Sequence, residues 1–148
     1  MNLNYYNTFI AVSPDCSATK SVIPPEKAGK PTKAGIEYEL AAGQPYFYTQ
    51  EELLYQVYVR HKEIPEEELE QRGAEIRSAF FGKSQACLRA SMLPKKFGWG
   101  IHFNAKGKLA LVPVESEQYR SYAAGEHEEI KVIPAMRNVR PSKSNLRE

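Results

Sequence analysis

A cysteine and a histidine are the residues whose chemistry is most readily catalytic. A cysteine nucleophile requires a nearby base and a lowered thiol pKa. Cys87 lies in a cationic stretch between Ser84 and Arg89, and His102 is a base on a predicted strand downstream. Together they predict a cysteine-dependent enzyme as one candidate function. Because free cysteine is among the most buried residue types, inert packing of Cys87 is the stronger interpretation.

A strongly basic stretch offers a second chemistry, the binding of anions. Residues 77–114 contain seven bases and no acid, whereas residues 37–76 contain ten acids and three bases, so formal charges of +7 and −7 adjoin. Aromatic side chains among the cations provide stacking surfaces. We therefore predict that an anionic small molecule or a nucleic acid binds through residues 77–108. The candidate ligand-binding residues are Lys83, Arg89, Lys95, Lys96, Trp99 and His102.

The same charge pattern has another interpretation, in which the two segments face each other. The acids of residues 37–76 would then oppose the bases as exposed salt bridges, each of which contributes little stability. Charge runs usually mark solvated surfaces, so the sequence favours this second interpretation.

Other motifs fit known chemistry less well. Glu37 and Glu39 would lie on the order of 7 Å apart if both faced outwards from one strand, a separation that suits paired carboxylates. The segment 29–35 has the wrong spacing for a phosphate-binding loop, and the third glycine of a dinucleotide fingerprint is missing after Gly98 and Gly100. Close backbone packing in a strand explains these two glycines better.

The histidines and cysteines show no spacing that would bring three or more metal ligands together. His61 continues a predicted helix face, and His127 lies between two glutamates in a predicted loop. The chain also has no recognisable catalytic motif. We therefore expect no metal and no cofactor, and the sequence favours a non-enzymatic role.

Length, composition and targeting features set the class of protein. A chain of 148 residues with 42% hydrophobic and 26% charged residues is typical of one soluble globular domain. The N-terminus lacks a secretory signal pattern, and the longest apolar run, Leu109–Val114, is far shorter than the roughly 20 residues of a membrane-spanning helix. Cys16 and Cys87 form no Cys-x-x-Cys pair. We expect a cytoplasmic protein with free thiols and no membrane segment.

The first part of the chain is predicted to be strand, loop and strand. Aromatic and β-branched residues favour a strand over residues 3–12. Residues 13–35 show no periodicity and form a long predicted loop. Strict alternation of apolar and acidic residues predicts a short strand over residues 36–40.

Two consecutive helices are predicted in the middle of the chain. Thr49 and Glu52 match a capping box, which begins a helix. Pro65 suits the first turn of a second helix, with glutamates at its positive dipole end. The buried stripe of this second helix is marked by Leu69, Ile76 and Phe80. Helices joined by so short a link should pack as a pair.

The last part of the chain is predicted to be a hairpin, a short helix and an edge strand. Period-two patterning after Gly98 places His102 on the face opposite Trp99, Ile101 and Phe103. A glycine-containing turn at residues 104–107 leads into the second hairpin strand. The remaining elements are a helix over residues 117–124 ended by Gly125 and a strand over residues 130–133 before Pro134.

This order of elements predicts an α+β fold, with a largely antiparallel sheet of about four strands packed against a central helix pair. Residues 1–137 form a single domain in this prediction. Residues 138–148 form a polar basic tail that need not be ordered.

Six blocks of sequence, in order along nearly the whole chain, carry a resemblance to a known family. They are Tyr6–Asp15, Gly35–Leu40, Tyr48–Tyr55, Cys87–Ser91, Gly98–His102 and Ala135–Arg137. The chain resembles an uncharacterised bacterial family, domain of unknown function 6157 (DUF6157). The resemblance implies a small, free-standing bacterial protein, and it implies no reaction and no catalytic residue.

Three function classes therefore remain open at the level of the sequence. The leading one is a non-enzymatic binding module for an anionic small molecule or nucleic acid. The second is a cysteine-dependent enzyme that uses Cys87 and His102. The third is a structural or interaction protein that forms homo-oligomers through a sheet edge or an aromatic patch, since the chain contains nine tyrosines.

Overall fold

A computed structural model describes residues 3–138 of the chain. Within them lie a four-stranded sheet and five α-helices, which confirms the predicted α+β fold class. The strands are β1 (Thr8–Ala11), β2 (Trp99–Phe103), β3 (Leu109–Pro113) and β4 (Lys131–Pro134). The helices are α1 (Lys33–Gly43), α2 (Gln50–His61), α3 (Glu66–Phe81), α4 (Met92–Lys95) and α5 (Glu117–Ala123), and a 3₁₀ helix spans Leu88–Ala90.

The sheet has the strand order β3-β2-β1-β4. Strand β2 pairs antiparallel with β3, as predicted for the hairpin, and antiparallel with β1. Strand β4 pairs parallel with β1 and lies at an edge, where Pro134 is tolerated. In the hairpin turn, the side-chain oxygen of Asn104 accepts hydrogen bonds from the backbone N–H groups of Lys106 and Lys108. Gly107 provides the positive φ of +78° that this turn requires.

Alternation along the strands divides the side chains between two cores. Ile101 and Phe103 of β2 join the larger core, which α1 and α2 cover. Phe9 of β1 belongs to the second core and packs against Tyr119 and Tyr122 of α5. The sheet therefore separates two faces, and the position of a residue along its strand decides which face its side chain reaches.

The predicted strand at residues 36–40 is wrong, because these residues are helical. They lie within α1, whose N-cap residue Thr32 accepts a hydrogen bond from the backbone N–H of Gly35 (3.1 Å). Ile36 and Leu40 are separated by one helical turn, so both lie on the same helix face and both are buried. The predicted loop therefore ends at Thr32 instead of Gly35.

The outward carboxylate pair that a strand would create is also absent. Glu37 is buried at 3% exposure, whereas Glu39 is exposed and forms a 3.6 Å salt bridge with Arg60 of α2. Side chains two positions apart point in different directions around a helix, whereas in a strand they share one face. Glu37 and Glu39 therefore have separate environments and do not form a catalytic pair.

The central helices begin where the sequence predicts. Both hydrogen bonds of the capping box between Thr49 and Glu52 are present at the start of α2, and α3 begins directly after Pro65. The closest helix pair, however, is α1 with α2 instead of α2 with α3. Only Phe80 of α3 is buried, and Leu69 and Ile76 are half-buried, because α3 contacts the core mainly through its C-terminal end.

The irregular segment before α1 is hydrogen-bonded to the sheet and to α4. The indole N–H of Trp99 donates to the carbonyl of Val22 (2.9 Å), and the backbone N–H of Ser13 donates to the carbonyl of Pro94 (2.9 Å). The predicted basic tail lies outside the described residues from position 139 onwards. Between residues 3 and 138, every helix is too short or too polar to cross a bilayer.

Candidate functional site

Two adjoining cavities lie where α1 and α2 meet the segment 84–92. Their volumes are about 210 and 230 Å³, and they share Lys33, Leu54 and Ala86 as lining residues. We call the joined space the Lys33 groove. The first cavity is lined by Lys33, Ala34, Glu37, Leu54, Ala86, Cys87, Ala90, Ser91 and Met92. The second is lined by Lys33, Leu54, Val57, Tyr58, His61, Lys62, Phe80, Gln85 and Ala86.

Helix α1 positions one cation and one acid in the groove. Because Thr32 is the N-cap, Lys33 is the first helical residue and Glu37 lies one turn further along the same face. Burial of Ile36 and Leu40 in the larger core fixes the rotation of the helix about its axis. Lys33 is exposed at the mouth of the groove, and Glu37 is buried in its floor.

Glu37 is a buried carboxyl with one hydrogen-bond partner. The Ser91 hydroxyl donates to Glu37 Oε1 over 2.8 Å, and the Ser91 oxygen accepts the backbone N–H of Leu93 at the start of α4 (3.1 Å). Burial raises the pKa of Glu37 above its ordinary value, against the smaller opposing effects of the Ser91 hydrogen bond and of Lys33. The site therefore favours the neutral carboxylic acid more than water does.

Cys87 lines the same cavity and is half-buried. The hydroxyl of Tyr5 donates to Cys87 Sγ over 3.5 Å. Burial, followed by this contact with Cys87, raises the pKa of Tyr5 to about 12. The backbone next to Cys87 is held by Gln50 of α2, whose side-chain oxygen accepts the N–H of Leu88 (2.8 Å).

His102 lies in a separate cluster on the α5 face of the sheet. Its Nδ1 is 2.8 Å from the Tyr46 hydroxyl and 3.5 Å from the Tyr122 hydroxyl, and its ring stacks on Tyr122 with centroids 4.6 Å apart. Burial, with a smaller effect of His127, lowers the pKa of His102. Burial also raises the pKa of Tyr46 to about 12. A neutral His102 that accepts the Tyr46 O–H at Nδ1 is consistent with both shifts.

The structure does not bring Cys87 and His102 together. Tyr5, the partner of Cys87, packs on Phe103 at a centroid distance of 5.3 Å, and Phe103 faces the larger core. His102 is the adjacent strand residue and points to the opposite face, where it meets Tyr122 of α5. The sheet therefore lies between the thiol and the imidazole, so the two side chains of the predicted nucleophile–base pair do not meet.

The other predicted binding residues have separate neighbours. The Arg89 side chain donates to the carbonyl of Pro134 (2.8 Å), and Lys96 Nζ lies 5.7 Å from the Phe97 ring centroid. Lys95 precedes Lys96 at the C-terminal end of α4. Lys83 follows α3 and lines a different cavity with Leu3 and Gln85. Trp99 packs on Tyr38 (5.2 Å) and holds the irregular segment through Val22. None of these five residues lines the Lys33 groove.

The predicted opposition of the acidic and basic segments is observed at one ion pair. Lys108 lies 3.9 Å from Glu52, and this is the one salt bridge between the two segments within residues 3–138. The bases of residues 77–114 are therefore mostly available to solvent and are spread over several surfaces.

Both sheet edges carry contacts with the rest of the chain. The backbone of Leu109 in β3 exchanges hydrogen bonds with Tyr46 and Tyr48 (2.8 and 2.9 Å). At the other edge, the carbonyl of Pro134 in β4 accepts from Arg89. Homo-oligomerisation through a sheet edge stays a prediction.

We expect acid to destabilise the protein through His102. Its pKa is lower in the folded state, so the unfolded chain binds the proton first, and this contribution to stability is lost as pH falls below about 6.5. The free energy of unfolding, measured by urea titration at several pH values, should therefore fall less on acidification in His102→Gln than in the native chain. Gln56→Leu, at an exposed position of α2 that does not titrate, is the control and should keep the native loss. An identical loss in His102→Gln and the native chain would contradict this prediction.

Sequence reasoning missed Lys33, Ser91 and the buried state of Glu37. The available signal was Thr32 as an N-cap followed by apolar residues at 36, 40 and 41, which is helical spacing. No signal of comparable strength marks Ser91, because its contact with Glu37 joins residues 54 positions apart.

The chain is similar to a known protein family. The sequence profile of a family of unknown function, DUF6157, matches residues 1–141. No curated protein and no solved structure matches the chain. Within residues 3–138, histidine, cysteine, aspartate and glutamate side chains form no group of three or more that could hold a metal ion.

Proposed function

Because the chain belongs to DUF6157, a family of unknown function, we propose its function from its own geometry: it is a binding module whose Lys33 groove takes an anionic small molecule. The observation that carries this proposal is the position of Lys33, which lines both cavities where they adjoin. A cation at that position attracts an anion wherever the rest of the ligand lies in the groove.

The size of the groove supports a small molecule as the ligand. Each cavity, at about 210 or 230 Å³, is smaller than the roughly 300–1,000 Å³ of common ligand sites, whereas the two together are within that range. A ligand that fills the groove therefore spans both cavities and passes Lys33. A nucleic acid needs an extended track of cations, and the bases of residues 77–108 are dispersed, so the small anion is favoured.

The composition of the walls supports an amphipathic ligand. Leu54, Val57 and Ala86 provide apolar contact for the body of a molecule. Lys33 and Lys62 provide cations, and neither forms a salt bridge within residues 3–138. Ligand sites commonly combine a mostly apolar lining with a few polar groups that orient the ligand.

The proposal predicts a specific effect of charge reversal in the groove. The probe is 1-anilinonaphthalene-8-sulfonate, an aromatic anion whose fluorescence rises on binding. Lys33→Glu combined with Lys62→Glu should weaken its binding by about tenfold or more, because two favourable charges become repulsive. The measurement is a fluorescence titration at low salt, and added salt should weaken binding to the native chain.

A charge-matched variant separates this site from the basic segment. Lys95→Glu with Lys96→Glu changes the net charge equally and should leave the affinity within about twofold. An equal loss in both double variants would show non-specific attraction, and a loss confined to Lys95 and Lys96 would favour the basic segment as the binding surface. Absence of binding to the native chain would contradict the groove as an anion site. Titration with a short single-stranded oligonucleotide tests the nucleic-acid alternative directly.

We also propose a cytoplasmic location, on the support of two unpaired cysteines. Cys16 and Cys87 are both free thiols and both partly exposed. Such thiols persist in a reducing compartment, whereas exposed thiols in oxidising compartments tend to form disulfides.

A further inference from the structure

We propose that Glu37, in its neutral form, donates its carboxyl hydrogen into the Lys33 groove and there recognises a carboxylate ligand together with Lys33. This inference rests on the proposed function. It assigns the chemical class of the anion and names the side chain that recognises it. It also makes binding dependent on pH.

The hydrogen-bond network of Glu37 leaves one carboxyl oxygen for the groove. Oε1 is occupied by the Ser91 hydroxyl at 2.8 Å, and the Ser91 oxygen is itself fixed by the Leu93 N–H. Oε2 has no hydrogen-bond partner within residues 3–138. No side-chain nitrogen or oxygen in this part of the chain is both sealed from solvent and unpaired, so Oε2 must reach accessible space. Since Glu37 lines the first cavity, that space is the groove.

The position of the proton follows from this network. Ser91 donates to Oε1, so in the neutral acid the hydrogen is placed on Oε2 and points towards the groove. A neutral carboxyl thus becomes a donor where an ionised one would be an acceptor. The direction of the Glu37 pKa shift, which burial raises, favours this donor form.

A carboxylate ligand complements this pair of groups. An O–H donor to a carboxylate oxygen makes a short, strong hydrogen bond. Lys33, one helical turn before Glu37 on the same face, supplies the positive charge for the second oxygen. If Glu37 were ionised, its negative charge would repel the ligand and leave two acceptors facing each other.

Other titratable groups near Glu37 define the controls. Lys33 faces it from α1 and Cys87 faces the first cavity from the segment before the 3₁₀ helix. Helix α2 contributes His61 and Lys62 to the second cavity. Because protonation of His61 would also strengthen anion binding at low pH, a pH profile of the native chain alone cannot assign the effect to Glu37.

The experiment measures the affinity for benzoate by calorimetry from about pH 5.5 to about pH 8.5, a range in which benzoate stays ionised. In the native chain the affinity should fall as pH rises, by about tenfold between the neutral and the ionised form of Glu37. In Glu37→Gln the affinity should stay near the low-pH value throughout, because the amide N–H₂ still donates and cannot ionise. Glu39→Gln, which alters an exposed acid on the same helix, should keep the native profile. His61→Gln removes a residue that lines the groove, and it should retain the part of the fall in affinity that Glu37 causes.

The possible results are distinct. A profile that persists in Glu37→Gln, or one that disappears in His61→Gln, would overturn the role of Glu37 while leaving the groove as an anion site. Benzamide, the neutral analogue, should bind with weaker affinity and little pH dependence, and equal binding of benzamide and benzoate would overturn the carboxylate assignment. Failure of both benzoate and 1-anilinonaphthalene-8-sulfonate to bind the native chain would overturn the proposed function as well.

Carbon-13 NMR of the Glu37 carboxyl gives an independent readout. By linkage, a ligand that prefers the neutral acid must raise the pH at which Glu37 titrates. We expect benzoate to shift the Glu37 titration to higher pH. Ser91→Ala should also raise the pKa of Glu37, because the Ser91 hydrogen bond lowers it in the native chain. A titration that benzoate leaves unchanged or shifts to lower pH would overturn the proposal.

Discussion

Replacing Gly100 with alanine is expected to lower the free energy of unfolding by about 2 kcal/mol, because the added methyl has no space. A Cβ atom at this position would lie 2.6 Å from Cζ of Phe9 and 2.9 Å from Cε2 of Tyr119. The Phe9 ring is fully buried, stacks on Tyr122 at 5.0 Å and meets Tyr119 edge-on at 5.3 Å, so it cannot move aside without disturbing α5. Chemical denaturation of both proteins measures the loss.

A second glycine gives the matched control for this prediction. Gly43 ends α1 with no atom within 4 Å of the position of an added Cβ. Gly43→Ala should be neutral or stabilising by about 0.5–1 kcal/mol, since alanine restricts the unfolded chain and suits a helix. Equal stability of Gly100→Ala and the native protein would show that the second core is loosely packed, contrary to the structure.

The hairpin that contains Gly100 was predictable because its signals are local. Period-two alternation and a glycine-containing turn belong to neighbouring residues, and they indicate both strands and the face of His102. Close packing as the role of Gly100 was also predicted, although the sequence does not show that Phe9 and Tyr119 are the neighbours. Identifying them requires the register of β1 against β2 and the docking of α5.

Helix α1 was predicted wrongly because a five-residue pattern satisfied two periodicities. Ile36 and Leu40 suit either a strand face or a helical turn, and Tyr38 between them favoured the strand. In the structure Tyr38 lies beside the main core face, and Trp99 covers it at a centroid distance of 5.2 Å. Helical periodicity alone would predict a polar residue at position 38. The contact with Trp99, which is distant in sequence, allows the apolar Tyr38 there instead.

The candidate site was less predictable than the fold, because four separate segments form it, including the end of α3 at Phe80. Glu37 belongs to α1, Leu54 to α2 and Ser91 to the segment before α4. The distribution of charge along the chain favours residues 77–108 as a binding segment. The charge of a segment does not indicate, however, whether its side chains line a cavity. The relevant cation, Lys33, lies just before the acidic segment.

Replacing Gln50 with leucine is expected to lower the free energy of unfolding by about 2–4 kcal/mol, because it leaves the buried N–H of Leu88 and the half-buried carbonyl of Leu3 without partners. The Gln50 side chain is 1% exposed, its oxygen accepts the N–H of Leu88 (2.8 Å), and its amide donates to the carbonyl of Leu3. Each buried group that loses its partner costs about 1–3 kcal/mol. Leucine has similar volume, so the loss reports the missing hydrogen bonds instead of a cavity, and urea unfolding measures it.

The same substitution should loosen one wall of the Lys33 groove before the protein unfolds globally. Gln50 fixes the backbone directly after Cys87, so amide hydrogen exchange at Leu88 and alkylation of Cys87, followed by peptide mass spectrometry, should both become faster in Gln50→Leu. Gln56→Leu, at an exposed position of the same helix, should change stability by no more than about 0.5 kcal/mol and leave both rates unchanged. If Gln50→Leu lost stability while exchange at Leu88 stayed unchanged, the local role of this hydrogen bond would be contradicted. Ser91 follows Leu88 on the same segment and donates to Glu37. Faster exchange at Leu88 would therefore support Gln50 as the residue that positions Ser91 relative to α2.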